Sequence, residues 1–326
     1  MNNEKIPMIS FVIPCYCSAL TIEAVVTEIE STVAYKYPYE IILINDCSKD
    51  NTLEIIKKLC CTNEHVKGIN FTRNFGQHSA IMAGYRYVQG DIIINLDDDG
   101  QTPANECLKL IQPLVYEGYD ISIAKYSQKR HSTFKNFGSK INDIMASFLL
   151  DKPKGLYSSS YFAIKRFIVD EMIKYKNPYP YLEGLILRTT FNIVNVDVCH
   201  RERAVGESNY TFKKLLGLWL NGFTAFSVKP LRLGSIVGIL LAATGFIYTI
   251  YIIIHKLLSP EISVGWSSMM AAQLIIGGAI LCVLGLIGEY IGRIYICLNN
   301  SPQYVIKELI NMKREISDDA DEKKTQ

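Results

Sequence analysis

The sequence predicts an α/β protein built on a doubly wound, mostly parallel sheet, followed by an interfacial helix and two transmembrane helices. Three observations carry this expectation. Short β-rich apolar runs alternate with helical periodicities as far as Ala124. Polar clusters stand where those runs end, which is where doubly wound sheets bind ligands. Two long charge-free stretches then occupy the last third of the chain.

In order, Ile9 to Ile13 reads as a buried strand ended by Pro14, and Ile22, Val25, Val26, Ile29 and Val33 recur at helical spacing. Glu40 to Asn45 is a second strand, followed by a helix carrying Leu53, Ile56 and Leu59. Val66 to Phe71 gives a third strand, Ser79 to Val88 a helix, and Asp91 to Leu96 a fourth strand. A helix from about Ala104 to Glu117 and a strand at Asp120 to Ala124 complete the alternation. From about Tyr126 to Ser227 the pattern is less regular. This stretch is rich in tyrosine, carries Lys129, Arg130, Lys135 and Lys140, and is assigned to further strands and acceptor-side loops.

No charge lies between Arg232 and His255, nor between Glu261 and Glu289. Each stretch exceeds the roughly 20 residues that cross a hydrocarbon core about 30 Å thick. Lys229 and Arg232 before the first and Arg293 after the second place both termini in the cytosol, around a short external loop. Tyr210 to Phe226 sets apolar residues beside Lys213 and Lys214, as an interfacial helix requires. Gly234/Gly238 and Gly288/Gly292 would let helices approach closely, within one chain or between copies of it. The expected organisation is therefore a cytosolic domain at 1–209, an interfacial helix at 210–230 and a first span at 231–257. A loop at 258–263, a second span at 264–292 and a cytosolic tail at 293–326 follow.

Composition narrows the class. A net charge of +2 gives no reason to expect nucleic acid, and a mean hydropathy of +0.12 is high for a soluble enzyme. The nine cysteines contain no Cys-x-x-Cys pair, so reduced thiols are expected. No basic segment followed by an apolar run opens the chain, so no signal peptide is expected.

Asp97-Asp98-Asp99 closes the fourth expected strand, followed by Gly100, Gln101, Thr102 and Pro103. Three adjacent carboxylates repel one another, and a divalent cation, Mg²⁺ or Mn²⁺, relieves that repulsion while it also takes diphosphate oxygens. Period-two geometry turns Asp97 and Asp99 to one side and Asp98 to the other. A metal there neutralises charge on a diphosphate leaving group. The alternative is a solvated acidic turn, with Thr102 capping a helix that begins at Pro103. Asp46, ending the second strand, suits a base or ribose edge. Ser48, Asp50 and Asn51 read as turn and cap residues, with Asn51 and Glu54 at capping-box spacing. Arg73, beside Gly76 after the third strand, suits a phosphate or carboxylate, while His78 reads as a structural cap.

Taken in order, these segments resemble the inverting family 2 glycosyltransferases of GT-A fold. The resemblance is strongest to their polyprenyl-phosphate branch, which includes the undecaprenyl-phosphate aminoarabinose and glucosyl transferases and dolichol-phosphate mannose synthase-like enzymes. The residues that carry it are Val12 to Tyr16, Ile44 to Asp50, Arg73 to Gly84, Asp97 to Pro103, Gly206 to Tyr210 and Gly288 to Arg293. The resemblance implies transfer of a sugar from a nucleotide-sugar to a polyprenyl phosphate at the cytoplasmic membrane. It implies that Pro14, Tyr16 and Asp46 hold the nucleotide, with Arg73, Asp97 and Asp98 also on the donor side. Asp97, Asp99 and Gln101 would surround the metal, with Asp99 counted as catalytic. On the acceptor side, Arg203, Ser208 and Tyr210 would meet phosphate groups, together with Lys129 from the basic stretch.

Three departures stand out. Cys17-Ser18 replaces the usual Asn-Glu after the tyrosine, Asn209 replaces a lysine, and Gly155 to Ser160 contains no acid where relatives carry an aspartate. A lipid phosphate is already ionised near pH 7 and needs little deprotonation, so positioning and metal-assisted departure can supply most of the acceleration. If a base is required, Glu183 is the replacement. A sugar-hydroxyl acceptor on a lipid-linked oligosaccharide would make that base mandatory. A silent membrane scaffold is the alternative of another class.

Overall fold

The computed structural model describes residues 6–126, 152–153, 155–199, 229–258, 265–299 and 301–312. It divides the chain into two compact units. The first is built on an eight-stranded sheet with the strand order β7-β5-β6-β4-β1-β2-β3-β8. Its first strands and helices are β1 (Ile9–Cys15), α1 (Ile22–Val33), β2 (Tyr39–Asn45), α2 (Thr52–Thr62), β3 (Val66–Phe71), α3 (Gln77–Tyr85) and β4 (Ile92–Asn95). After a 3₁₀ turn at Ala104–Glu106 come α4 (Cys107–Tyr116), β5 (Ile121–Tyr126), β6 (Phe162–Lys165), α5 (Arg166–Met172), α6 (Leu182–Thr189) and β7 (Ile193–Val198).

The four strands β4, β1, β2 and β3 are parallel neighbours, and their side chains are buried along nearly their whole length. Such fully covered strands read as continuous apolar runs, which is why the sequence displays them so clearly. The helices bury one stripe each. In α1 it is Ile22, Val25, Val26, Ile29 and Val33. Gly84 of α3 lies so close to the sheet that a Cβ there would stand 2.6 Å from Val12 Cγ1 and 3.0 Å from Ile44 Cδ1.

The sheet is mixed, with most of its strands running one way and two, β6 and β8 (Ile306–Ile310), against them. β6 runs antiparallel to both β4 and β5, β5 pairs parallel with β7, and β8 runs antiparallel to β3. The expected tail at 293–326 thus contains a strand that returns to the edge of the first unit's sheet. Two antiparallel reversals keep β5 aligned with β4, so the carboxyl ends of β1 to β5 and the amino end of β6 share one edge.

Capping also differs from expectation. Asn51 and Thr102 make no side-chain cap, and the Asp50 carboxylate instead accepts from the Thr52 N–H at 3.2 Å and from its hydroxyl at 2.6 Å.

The second unit contains α7 (Lys229–Leu258) and α8 (Trp266–Leu298), which pack on each other. Among the described residues one stretch, Ile275–Leu298, is long and apolar enough to cross a membrane, and the apolar run Ile236–Tyr248 of α7 is shorter. By length and composition the described residues thus offer one candidate for the expected pair of spans, in α8. Gly234 faces Val283 and Leu286, whereas among the described residues nothing lies within 4 Å of the Cβ position at Gly238, Gly288 or Gly292. The interfacial helix expected at 210–230 lies almost wholly outside the described residues. Among the described residues the cysteines form no disulfide.

Candidate active site

The candidate site lies at the carboxyl end of β1, which pairs parallel with β4 on one side and β2 on the other, the edge where doubly wound sheets bind ligands. Val12 O accepts from Leu96 N at 3.4 Å. Pro14, two residues on, faces the same neighbour and has no N–H to give, so the ladder between β1 and β4 ends there. Tyr16 follows, exposed, and its N–H donates to Asp98 Oδ2 at 3.0 Å. Cys17, in the left-handed region at φ 57°, gives its N–H to Ser48 Oγ at 3.0 Å, and Ser18 N–H reaches Thr52 Oγ1 at 2.9 Å. The loop after β1 is thereby latched both to the loop after β2 and to the aspartate run.

Asp46 is buried, and its two oxygens accept the N–H groups of Phe75 at 2.7 Å and Gly76 at 2.8 Å. Burial pushes its carboxyl above the usual carboxylate range, against the opposing pull of those two amides. Asp46 therefore shapes the turn after β3, where Gly76 adopts φ +90°, open to glycine at no steric cost. Arg73, in the same turn, lays its guanidinium 4.5 Å from the centre of the Phe75 ring.

The aspartate run begins two residues beyond the end of β4, so a turn rather than a strand sets its side-chain directions. The Asp98 carboxylate points back to Tyr16, and its main-chain carbonyl accepts from Thr21 Oγ1 at 2.6 Å. Burial raises the Asp98 carboxyl to about 6; the Tyr16 N–H and Ser18 oppose the rise, and the charges of Asp97 and Asp99 add to it. Asp97 Oδ1 accepts from Gln77 Nε2 at 2.8 Å, Asp97 Oδ2 accepts from Ser160 Oγ at 2.5 Å, and Asp99 Oδ1 accepts from Gln101 N at 3.0 Å. The hydroxyl of partly buried Tyr126, pushed up to about 12 chiefly by burial, also feels the charges of both Asp97 and Asp99.

Among the described residues no three His, Cys, Asp or Glu side chains converge as a metal cage. Asp97 and Asp99 offer two carboxylates to one neighbourhood. That donor set fits a cation that completes its shell with phosphate oxygens and water.

The segment Gly155 to Ser160 bridges this region to Glu183. Ser158 Oγ donates to Glu183 Oε1, Tyr181 OH donates to Glu183 Oε2 at 2.8 Å, and buried Lys152 places Nζ 3.6 Å from Glu183 Oε1. His78 lies within α3 and not at its cap, and its Nδ1 accepts the Leu182 N–H at the start of α6 at 3.3 Å while the ring stacks on Tyr181. Burial lowers its pKa, against the opposing effects of the Pro180 carbonyl and Glu183, and the neutral ring is the form that can accept at Nδ1.

Pro14, Tyr16, Asp46, Arg73, Asp97, Asp98, Asp99, Gln101 and Glu183 all lie among the described residues, Pro14 in β1, Glu183 in the first turn of α6 and the others in loops, while Lys129, Arg203, Ser208 and Tyr210 lie outside them. Ser158, Ser160, Gln77, Tyr126 and Lys152 were not singled out from the sequence. For the two serines the only signal was the missing acid of their segment.

Comparison with known proteins places the chain in a family. The family model for glycosyl transferase family 2 matches residues 10–173, and the model for a GtrB C-terminal hairpin matches residues 229–294. The chain is 35% identical to the uncharacterized glycosyltransferase YkcC of Bacillus subtilis, over 92% of this chain and 93% of the relative. It is 33% identical to the undecaprenyl-phosphate 4-deoxy-4-formamido-L-arabinose transferase of Proteus mirabilis, over 95% and 96% of the two chains. A solved structure of similar fold is the glucosyl-3-phosphoglycerate synthase of Mycobacterium tuberculosis, crystallised with Mn²⁺, uridine diphosphate and phosphoglyceric acid. It aligns with a TM-score of 0.52 at 19% identity, covering 67% of this chain and 76% of that one. With one family model spanning half of its length and curated relatives matching nearly all of it, the chain belongs to glycosyltransferase family 2.

Proposed function

We propose that this chain is an inverting, metal-dependent enzyme that moves one sugar from a nucleotide-sugar, a UDP-sugar, onto undecaprenyl phosphate or a similar polyprenyl phosphate. The observation that carries the reading is the strip Ser158 to Ser160, which hydrogen-bonds Glu183 at one end and Asp97 at the other. A donor-side acid and a second carboxylate therefore flank one stretch of backbone. The relative from Proteus mirabilis, named for an undecaprenyl-phosphate acceptor, supports the same reading.

In this reading Pro14 opens the crevice, and Tyr16 and Asp46 frame the nucleotide, Asp46 through the turn it holds. Asp97 and Asp99, with Gln101 beside them, would hold Mg²⁺ or Mn²⁺, which neutralises charge on the departing nucleoside diphosphate. Gln77 and Ser160 fix the Asp97 carboxylate, so little reorganisation is needed as charge develops. An acceptor phosphate oxygen attacks the anomeric carbon from the side opposite the leaving diphosphate. With a dianionic phosphate near pH 7, Glu183 needs only to orient the acceptor or take a residual proton. A sugar-hydroxyl acceptor is the second reading. It draws support from Glu183 being held by both Ser158 and Tyr181, as a general base would need.

The site of action in this reading is the cytoplasmic membrane, with both termini cytosolic. Ile275–Leu298 supports an anchor, and the return of β8 to the first unit's sheet supports a hairpin whose two ends emerge on one side. The decisive experiment incubates the purified enzyme and undecaprenyl phosphate with a panel of nucleotide-sugars and Mn²⁺, then identifies the lipid by mass spectrometry. A glycosylated lipid monophosphate is expected. Sugar added only to a pre-glycosylated lipid would select the second reading.

A further inference from the structure

The chain leaves α8 and re-enters the first unit through Gln303, Tyr304 and Val305, three consecutive residues that engage two different loops of the site. Gln303 is buried, and its Nε2 donates to the main-chain carbonyls of Tyr175 at 3.3 Å and Asn177 at 2.9 Å. Those residues begin the loop that leads to Tyr181 and Glu183. Tyr304 turns to the other side. Its ring stacks on Phe71 at 5.5 Å with an interplanar angle of 5°, and Phe71 meets Phe75 edge-on at 5.7 Å. Phe75 carries the Arg73 guanidinium and gives its N–H to Asp46. Val305 O accepts the N–H of Thr72, the residue immediately after β3.

We propose that Gln303 and Tyr304 are positioning residues for the transfer reaction: Tyr304 sets the donor-side turn at 72–76, and Gln303 sets the acceptor-side loop at 175–183. The inference rests on the donor and acceptor assignment made above. Strand pairing alone does not require this arrangement. β8 starts at Ile306, and its ladder with β3 needs neither side chain. Among the described residues the buried Tyr304 hydroxyl has no hydrogen-bond partner, so its ring, rather than a polar bond, makes the contact. Aromatic contacts of this kind depend on geometry as well as area, so the ring fixes the Phe71–Phe75 pair in orientation. The two carbonyl bonds from one amide likewise pin the 175–177 turn in a single arrangement.

The test uses full-length enzyme in lipid nanodiscs, with undecaprenyl phosphate and the nucleotide-sugar that the wild type accepts. Tyr304→Ala is expected to raise the donor KM roughly fivefold with the acceptor KM unchanged, and Tyr304→Phe is expected to restore it. Gln303→Ala is expected to raise the acceptor KM by a similar factor and to leave the donor KM alone. Hydrogen exchange is expected to open 72–76 in Tyr304→Ala and 175–183 in Gln303→Ala, each without the other. Variants that shift both KM values together, that loosen both loops alike or that change neither overturn the proposal. If Tyr304→Ala does not fold, Tyr304→Leu, which keeps apolar bulk without the ring, takes its place with the same expectation. A wild type that glycosylates no lipid refutes the assigned reaction, while the exchange pattern still decides the positioning claim.

Discussion

Ser160 donates its hydroxyl hydrogen to the Asp97 carboxylate across 2.5 Å, which joins the segment lacking an acid to the acid that opens the aspartate run. The hydrogen bond is charge-assisted and holds one rotamer of Asp97. Ser160→Ala is expected to lower transfer about tenfold, the scale of one hydrogen bond to an ionised group. Ser160→Asp, which sets a like charge beside Asp97, is expected to lower it further. Steady-state kinetics at fixed Mn²⁺ measure both, and equal activity of Ser160→Ala and wild type would discard this role.

Asp99 Oδ1 accepts from Gln101 N at 3.0 Å, which ties the carboxylate to the turn that follows the aspartate run. Asp99→Asn is expected to reduce metal-dependent transfer by roughly 10²–10³-fold, the usual loss when a group that stabilises charge in the transition state is removed. Chelation of the wild type should abolish turnover reversibly, with Mn²⁺ or Mg²⁺ restoring it. Labelled donor and membranes suffice for the assay.

Glu183→Gln separates two acceptors. With a lipid phosphate, kcat should fall less than about tenfold, since the nucleophile is already ionised. Loss of turnover with unchanged nucleotide binding would indicate a hydroxyl acceptor instead. Glu183 is also a counter-charge for buried Lys152, so the variant should melt at a lower temperature than the wild type.

His78 provides a pH dependence whose sign follows from its burial. Its folded pKa lies below the ordinary 6.5, so below about pH 6.5 the unfolded chain binds the extra proton first and stability falls with pH. Protonated His78 also cannot accept the Leu182 N–H, so the start of α6 loosens along with it. His78→Asn, which keeps an acceptor, should flatten the melting temperature between pH 5 and pH 7 relative to wild type.

Gly84→Ala tests the packing of α3 on the sheet. The new methyl would stand 2.6 Å from Val12 Cγ1, too close without displacement of the sheet or helix. A loss of about 1–3 kcal/mol is expected, read as a lowered midpoint in denaturant.

The central strands were legible because burial on both faces leaves continuous apolar runs such as Ile41 to Ile44. β6 and β7 were not, since Phe162–Lys165 is four residues long and Ile193–Val198 is half-exposed with polar members. β8 was hidden for a different reason. Ile-Lys-Glu-Leu-Ile has no clean alternation, and its partner β3 lies on the far side of both long helices in sequence. The donor side was legible because consecutive strand ends announce it by residue type. The Ser158–Glu183 and Ser160–Asp97 contacts join distant parts of the chain, and only the folded topology brings them together. Asn51 looked like a cap, but Asp50 sits where its carboxylate reaches the Thr52 N–H.

The pairing of Gly68 with Ile310 also bears on how the protein is made. At roughly 5–20 residues per second, β3 leaves the ribosome on the order of tens of seconds before β8 exists. Throughout that interval β3 is an open sheet edge while the hairpin is still being synthesised, and open edges recruit other strands. The nascent chain is therefore most exposed to mispairing while α7 and α8 are being made. A chain that stops after α8 would keep its edge bare for good.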